Sequence, residues 1–157
     1  MDTSVTIIGL LITILIAIPL YFVFRGNSIN KNRIKAIQSL HNPDNTIDFE
    51  ESDAQNKKVF SIDKKNKIFL FIDFNPKETF SKLIELKKII HLKMLYTMNE
   101  ETHKAEKIEL EFTYKKENQK VNLIVYDSKF DPMNQVCLFE DEKLAKNWTQ
   151  KINVLLG

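Results

Sequence analysis

Between Val5 and Phe24 the chain carries no charged side chain, and fourteen of these residues are Val, Ile, Leu or Phe. At a helical rise of about 1.5 Å per residue such a run reaches roughly 30 Å, the thickness of a bilayer's hydrocarbon layer. The apolar character runs all round the helix rather than along one stripe, which sets it apart from an amphipathic core helix. Residues 1–24 are therefore expected to form an N-terminal transmembrane anchor that meets the lipid bilayer through Val5 to Phe24. The rest of the chain must fold as what the anchor holds.

The flanks separate this run from a cleaved signal peptide, which has positive charge before the apolar stretch and small residues after it. Here Asp2 is the only charge in front, and the run leaves through Tyr21-Phe22-Val23-Phe24-Arg25. Arg25, Lys31, Arg33 and Lys35 follow with no acid among them. The positive-inside rule then puts the N-terminus outside and the C-terminal domain in the cytoplasm, at the inner membrane. No ionisable group lies within the run, so nothing in it marks a transport path.

All 23 Lys and Arg and all but one of the 21 acids lie beyond Phe24. That balance argues against nucleic acid, whose binding domains are strongly basic. A single cysteine, Cys137, excludes an internal disulfide framework and suits a reducing compartment, where it reads as a structural apolar thiol. Residues 25–45 read as a basic juxtamembrane linker. Three helical turns are expected from Asn30 to Leu40, stopped by His41-Asn42-Pro43-Asp44-Asn45.

From Thr46 the apolar pattern changes to period two. Ile47 and Phe49 suggest a short strand. Val59–Asp63 and Lys67–Phe74 flank Lys64-Lys65-Asn66 as a hairpin. Its second arm, Ile68-Phe69-Leu70-Phe71-Ile72, is apolar on both faces and is expected in the middle of a sheet. A turn near Asn75-Pro76-Lys77 leads into Leu83-Ile84-Glu85-Leu86, and Leu92, Met94, Tyr96 and Met98 alternate along another strand. Ile108, Leu110, Phe112 and Tyr114 interleave with charged positions and return through Lys116–Gln119 into Val121–Tyr126. That hairpin has an apolar inner and a charged outer face. The period then becomes helical: Leu144, Trp148, Ile152 and Leu155 form one stripe, with Glu140, Asp141 and Glu142 in the first turn, where the helix dipole favours acids. Trp148, flanked by Leu144 and Ile152, is the expected structural plug between this helix and the sheet.

This order of strands closed by one helix with a central Trp resembles the pleckstrin-homology-like superfamily over Thr46 to Leu156. The resemblance is carried by Ile84-x-Leu86-x-x-Ile89, the hairpin Ile108 to Tyr126, and Leu144-x-x-x-Trp148-x-x-x-Ile152. It implies a mainly β fold, a bent sheet or partly open barrel capped by the C-terminal α-helix, in a cytosolic domain of residues 46–157. Between hairpin and helix, Asp127 to Phe139 inserts a loop through Asp131-Pro132-Met133-Asn134 and leaves room for an extra strand. The first hairpin lacks the Lys-x-Arg arrangement by which phosphoinositide-binding members hold their ligand. The whole chain resembles small bacterial membrane proteins that pair one span with such a domain.

No catalytic constellation is visible. His41, His91 and His103 lack metal-ligand spacing, and Gly9, Gly26 and Gly157 form no phosphate-cradling loop. The expectation is a non-enzyme with no cofactor, no metal and no small-molecule substrate. Asn147-Trp148-Thr149 matches a glycosylation sequon, but inside the expected helix it reads as coincidence.

Two features point to binding. Lys57, Lys58, Lys64, Lys65 and Lys67 gather around the first hairpin, as a basic rim for anionic lipid or an acidic partner. An open sheet edge, or the groove beside the terminal helix, could accept a strand from a protein or peptide. The leading expectation is a non-catalytic adaptor or sensor for a protein or peptide partner. The alternatives are an anionic-lipid surface module and, with orientation reversed, a bitopic envelope or secretion-assembly component with its domain outside.

Overall fold

The computed structural model describes residues 12–18, 30–74, 78–116, 118–130 and 137–157. The chain divides into two compact units, Met1–His41 and Asn42–Gly157. In the first, residues 12–18 and 30–40 are helical. Among the described residues no helix is long and apolar enough to cross a membrane. Most of the expected span Val5–Phe24, the turn Asn75-Pro76-Lys77 and the loop Asp131–Asn134 lie outside them.

The second unit is mainly β and closes with a helix. Four strands, β1 (Glu51–Gln55), β2 (Lys58–Asp63), β3 (Ile68–Phe74) and β4 (Thr79–Glu85), form an antiparallel sheet in the order β1-β2-β3-β4. A 3₁₀ turn at Leu86–Lys88 leads to β5 (Ile89–Met98), β6 (Ala105–Tyr114) and β7 (Lys120–Asp127), an antiparallel sheet in the order β5-β6-β7. A second 3₁₀ turn, Ser128–Phe130, precedes the C-terminal helix Leu138–Leu156. No strand stands between β7 and this helix among the described residues.

The central strand behaves as its sequence requires. In β3, Phe69, Leu70, Phe71 and Ile72 are all fully buried, so both faces are covered. Phe69 and Phe71 join Phe60, Ile62, Ile84, Leu92, Ile108, Leu110, Phe112, Leu123 and Val125 in one core with Ala145, Trp148 and Ile152 of the helix. Aromatic rings fill its centre. Trp148 lies 5.6 Å from Phe60 and 5.7 Å from Phe69, and Phe69 stacks on Phe112 at 5.7 Å. Offset and tilted pairs at these spacings contribute beyond the area they bury.

Three local expectations are corrected. The first strand is Glu51–Gln55, not Ile47 and Phe49, which lie in irregular chain. Its inward-facing positions reach polar groups on the helix, so it carries no apolar alternation. On the outer face of β6, Glu111 and Thr113 are buried rather than solvated. They sit in the middle strand, flanked across the sheet by Lys93 and Asn122 and by His91 and Lys120, and Lys120 binds the Glu111 carboxylate at 3.1 Å. Along the helix the fully buried stripe is Asp141, Ala145, Trp148 and Ile152, with Leu144 and Leu155 packed at its margins. Alanine in the stripe lets the helix backbone approach the sheet, which Leu144 at that place would prevent.

With so few glycines, left-handed turn positions fall to other residues. Asn56 and Lys57, at φ of 44° and 68°, are the two loop residues between the paired Gln55 and Lys58. Two successive positive φ angles are the signature of a type I′ hairpin turn, whose twist matches that of the strands.

Candidate functional site

The five hairpin lysines do not form one patch. Lys57 and Lys58 sit at the β1–β2 turn, and Lys64, Lys65 and Lys67 sit at the β2–β3 turn, at opposite ends of β2. Six residues of strand separate the two groups by roughly 20 Å. Several are also engaged. Lys64 pairs with Glu51 at 3.0 Å. The Lys67 ammonium donates to the carbonyl of Leu155 at 2.7 Å, where it meets the negative end of the helix dipole. Lys58 stands opposite Asp73 across β2 and β3.

Tertiary folding assembles a different group of lysines. The Lys115 N–H donates to the Lys88 carbonyl and its ammonium to the Lys87 carbonyl, both at 2.8 Å. The 3₁₀ turn at Leu86–Lys88 and the β6–β7 turn thereby present Lys87, Lys88, Lys115 and Lys116 side by side, all exposed. Glu85 answers one of them, Lys88, at 2.6 Å. Nothing local in the sequence links these positions.

The edge of β5 is occupied by the chain itself. Leu92 N–H donates to Asn153 Oδ1 at 3.3 Å, and Asn153 Nδ2 donates to the Leu92 carbonyl at 3.1 Å. A helix carboxamide thus takes both backbone groups that a neighbouring strand would take. Further along, Tyr96 OH donates to Glu142 Oε1 at 2.9 Å, and Lys146 binds the same carboxylate at 2.6 Å. Lys146, then Tyr96, holds the Glu142 carboxyl below its usual range, while burial and Glu142 push Tyr96 up. The groove beside the terminal helix is filled at these two places.

Another cleft is open. It has a volume of about 410 Å³ and is lined by Phe71, Asp73, Glu78, Thr79, Phe80, Asn122, Leu123 and Ile124. That falls within the about 300–1,000 Å³ typical of ligand sites. Its walls come from β3 and β4 on one side and β7 on the other. Among the described residues β4 pairs only with β3, and β7 only with β6, so each has an edge without a strand neighbour among them. Phe71 and Phe80 stand 6.3 Å apart, and Phe80 is 48% exposed. Asp73 has neither an ion-pair nor a hydrogen-bond partner among the described residues, and burial raises its carboxyl above the usual range despite Lys58 and Lys57 nearby. Sequence reasoning missed this site. Its one local signal is Phe80, an aromatic residue in an otherwise polar stretch.

Among the described residues no group of three or more His, Cys, Asp or Glu could hold a metal ion. Cys137 is half-buried against the core, as expected of a structural thiol. Comparison of the chain with protein-family models, with curated proteins and with solved structures finds no match.

Proposed function

We propose that this protein is a membrane-anchored, non-catalytic binding module: a pleckstrin-homology-like domain held at the cytosolic face by the N-terminal span, serving as an adaptor or sensor for a protein or peptide. The fold reading is supported by four strands, then three, then a helix with a buried central Trp. The anchor and its orientation are supported by the uncharged run Val5–Phe24 and the basic residues after it. The observation that carries the binding reading is the cleft between β4 and β7, apolar within and bordered by two strand edges. Such edges bind extended peptides through main-chain hydrogen bonds, and pockets for alternate side chains give selectivity. Tethering raises the local concentration of partners at the same membrane, so a modest site suffices.

Two experiments test this. A reporter fused after Gly157 should be active only in the cytoplasm; activity only outside would reverse the orientation and favour the envelope-assembly alternative. A photo-crosslinking residue at Phe80 should trap a discrete partner in intact cells that the same residue at Val154, an exposed helix position, does not trap. Identical adducts from both positions would remove the cleft as the binding site.

The anionic-lipid reading has one observation of its own, the convergence of Lys87, Lys88, Lys115 and Lys116. Basic groups held at an anionic surface contribute about 1 kcal/mol each.

A further inference from the structure

The cleft between β4 and β7 is not chemically neutral. Its interior is formed by Phe71, Phe80 and Leu123, with Ile124 at the rim 39% exposed. Among the described residues of its lining the ionisable ones, Asp73 and Glu78, are acids, and neither has an ion-pair partner among the described residues. Asp73 leaves β3 one position before its end and faces Phe80 across the β3–β4 pair, which places a carboxylate directly beside the apolar floor. Lys57 and Lys58 act on it from the first hairpin, yet neither approaches closely enough to form a salt bridge with it.

A carboxylate partly withdrawn from water beside an apolar floor is costly until a cation reaches it. An acidic occupant would add repulsion to that cost. A purely apolar occupant would cover Asp73 and leave it still less hydrated. From this arrangement we infer that the occupant is an extended segment of a partner protein carrying a Lys or Arg two residues from a large apolar side chain. In extended chain, residues i and i+2 share one face. The apolar side chain enters among Phe71, Phe80 and Leu123, and the cation reaches Asp73 and Glu78, while the segment's backbone pairs with the open edge of β4 or β7. This deepens, and rests on, the binding-module reading proposed above.

The probe is an array of capped heptapeptides with alternating Thr and Val, in which one position is Phe or Ala and the position two residues on is Lys, Arg, Gln or Glu. It is screened with the full chain in detergent micelles. Retention should be strongest for Phe-x-Lys and Phe-x-Arg, with about tenfold preference over Phe-x-Glu. In the double variant Asp73→Asn/Glu78→Gln that preference should collapse to about equal retention, while the preference for Phe over Ala survives. The emission of Trp148 serves as the check that the variant is folded. Peptides retained with no charge preference, or with one that persists in the double variant, would overturn the inference and leave the docking site standing. No peptide retained above a Ser/Gly control would overturn both.

Discussion

The indole N–H of Trp148 donates to Asp53 Oδ2 at 2.9 Å, joining the C-terminal helix to the first strand across 95 residues of sequence. Lys151, one turn on, lies 4.9 Å over the same indole ring and binds Glu51 as well as Asp53. Gln55 of β1 donates to Glu140 at the other end of the helix. β1 is thus held against the helix by a ladder of polar contacts, while the indole's apolar surface is buried against Phe60 and Phe69.

Truncating Trp148 removes both halves of that arrangement. Trp148→Ala should cost about 3–5 kcal/mol and leave the domain largely unfolded. Asp53→Ala, which orphans a buried indole donor but keeps the packing, should cost about 1–2 kcal/mol. Urea unfolding followed by the emission of Trp148 measures the second, and circular dichroism the first. Equal costs would mean that the hydrogen bond, not the packing, dominates.

Asp63 makes stability depend on acid. It is fully buried, and its carboxylate accepts from the backbone of Asn66 and Asp48 at 2.8 Å and from the Asn66 side chain at 2.7 Å. Burial pushes its carboxyl up, but these hydrogen bonds, with one from Lys65, outweigh it and hold the group below its usual range. A depressed folded value means the contribution is complete above the unfolded value of about 3.9 and is lost as pH falls through the folded one. Asp63→Asn should therefore be destabilised at neutral pH, with the gap from the wild type narrowing below about pH 4. A gap independent of pH in urea titrations would contradict this.

Lys57 occupies the second position of a type I′ turn at φ 68°. Left-handed backbone costs a side-chain-bearing residue about 1–2 kcal/mol, and glycine escapes that strain at some entropic cost in the unfolded chain. Lys57→Gly should raise stability by about 0.5–1 kcal/mol, read as a higher urea midpoint at unchanged slope.

Asn153 covers the β5 edge. Asn153→Ala should leave the Leu92 N–H and carbonyl without their partner at a cost of about 1–2 kcal/mol. Amide exchange at Leu92 should accelerate while that of Leu110, in the middle strand, falls only as far as global stability does. Unchanged protection at Leu92 would show that the carboxamide contributes nothing to closing the edge.

Lysine labelling tests the lipid alternative. With the chain in nanodiscs, anionic lipid should protect Lys87 relative to zwitterionic lipid, and added salt should reverse the protection. Lys64 and Lys67, already bound to Glu51 and the Leu155 carbonyl, should respond little. Uniform labelling in both lipids would remove the second reading.

Local pattern by itself determined the β2–β3 hairpin, the doubly buried β3, the β6–β7 hairpin and the terminal helix with Trp148 at its centre. Alternation and the helical repeat are written in neighbouring residues, and burying those faces leaves few other solutions. Tertiary structure alone decided the rest. β1 pairs locally with β2, but its polar inward positions are half-buried because Glu51, Asp53 and Gln55 find Lys151, Trp148 and Glu140, partners no local window contains. Glu111 and Thr113 are buried because β6 is central, not because of their own chemistry. The five hairpin lysines separate because β2 runs between them, while Lys87 and Lys115 meet across 28 positions. The cleft exists only where β3 and β4 come beside β7, since a groove between two sheets belongs to neither sheet's sequence.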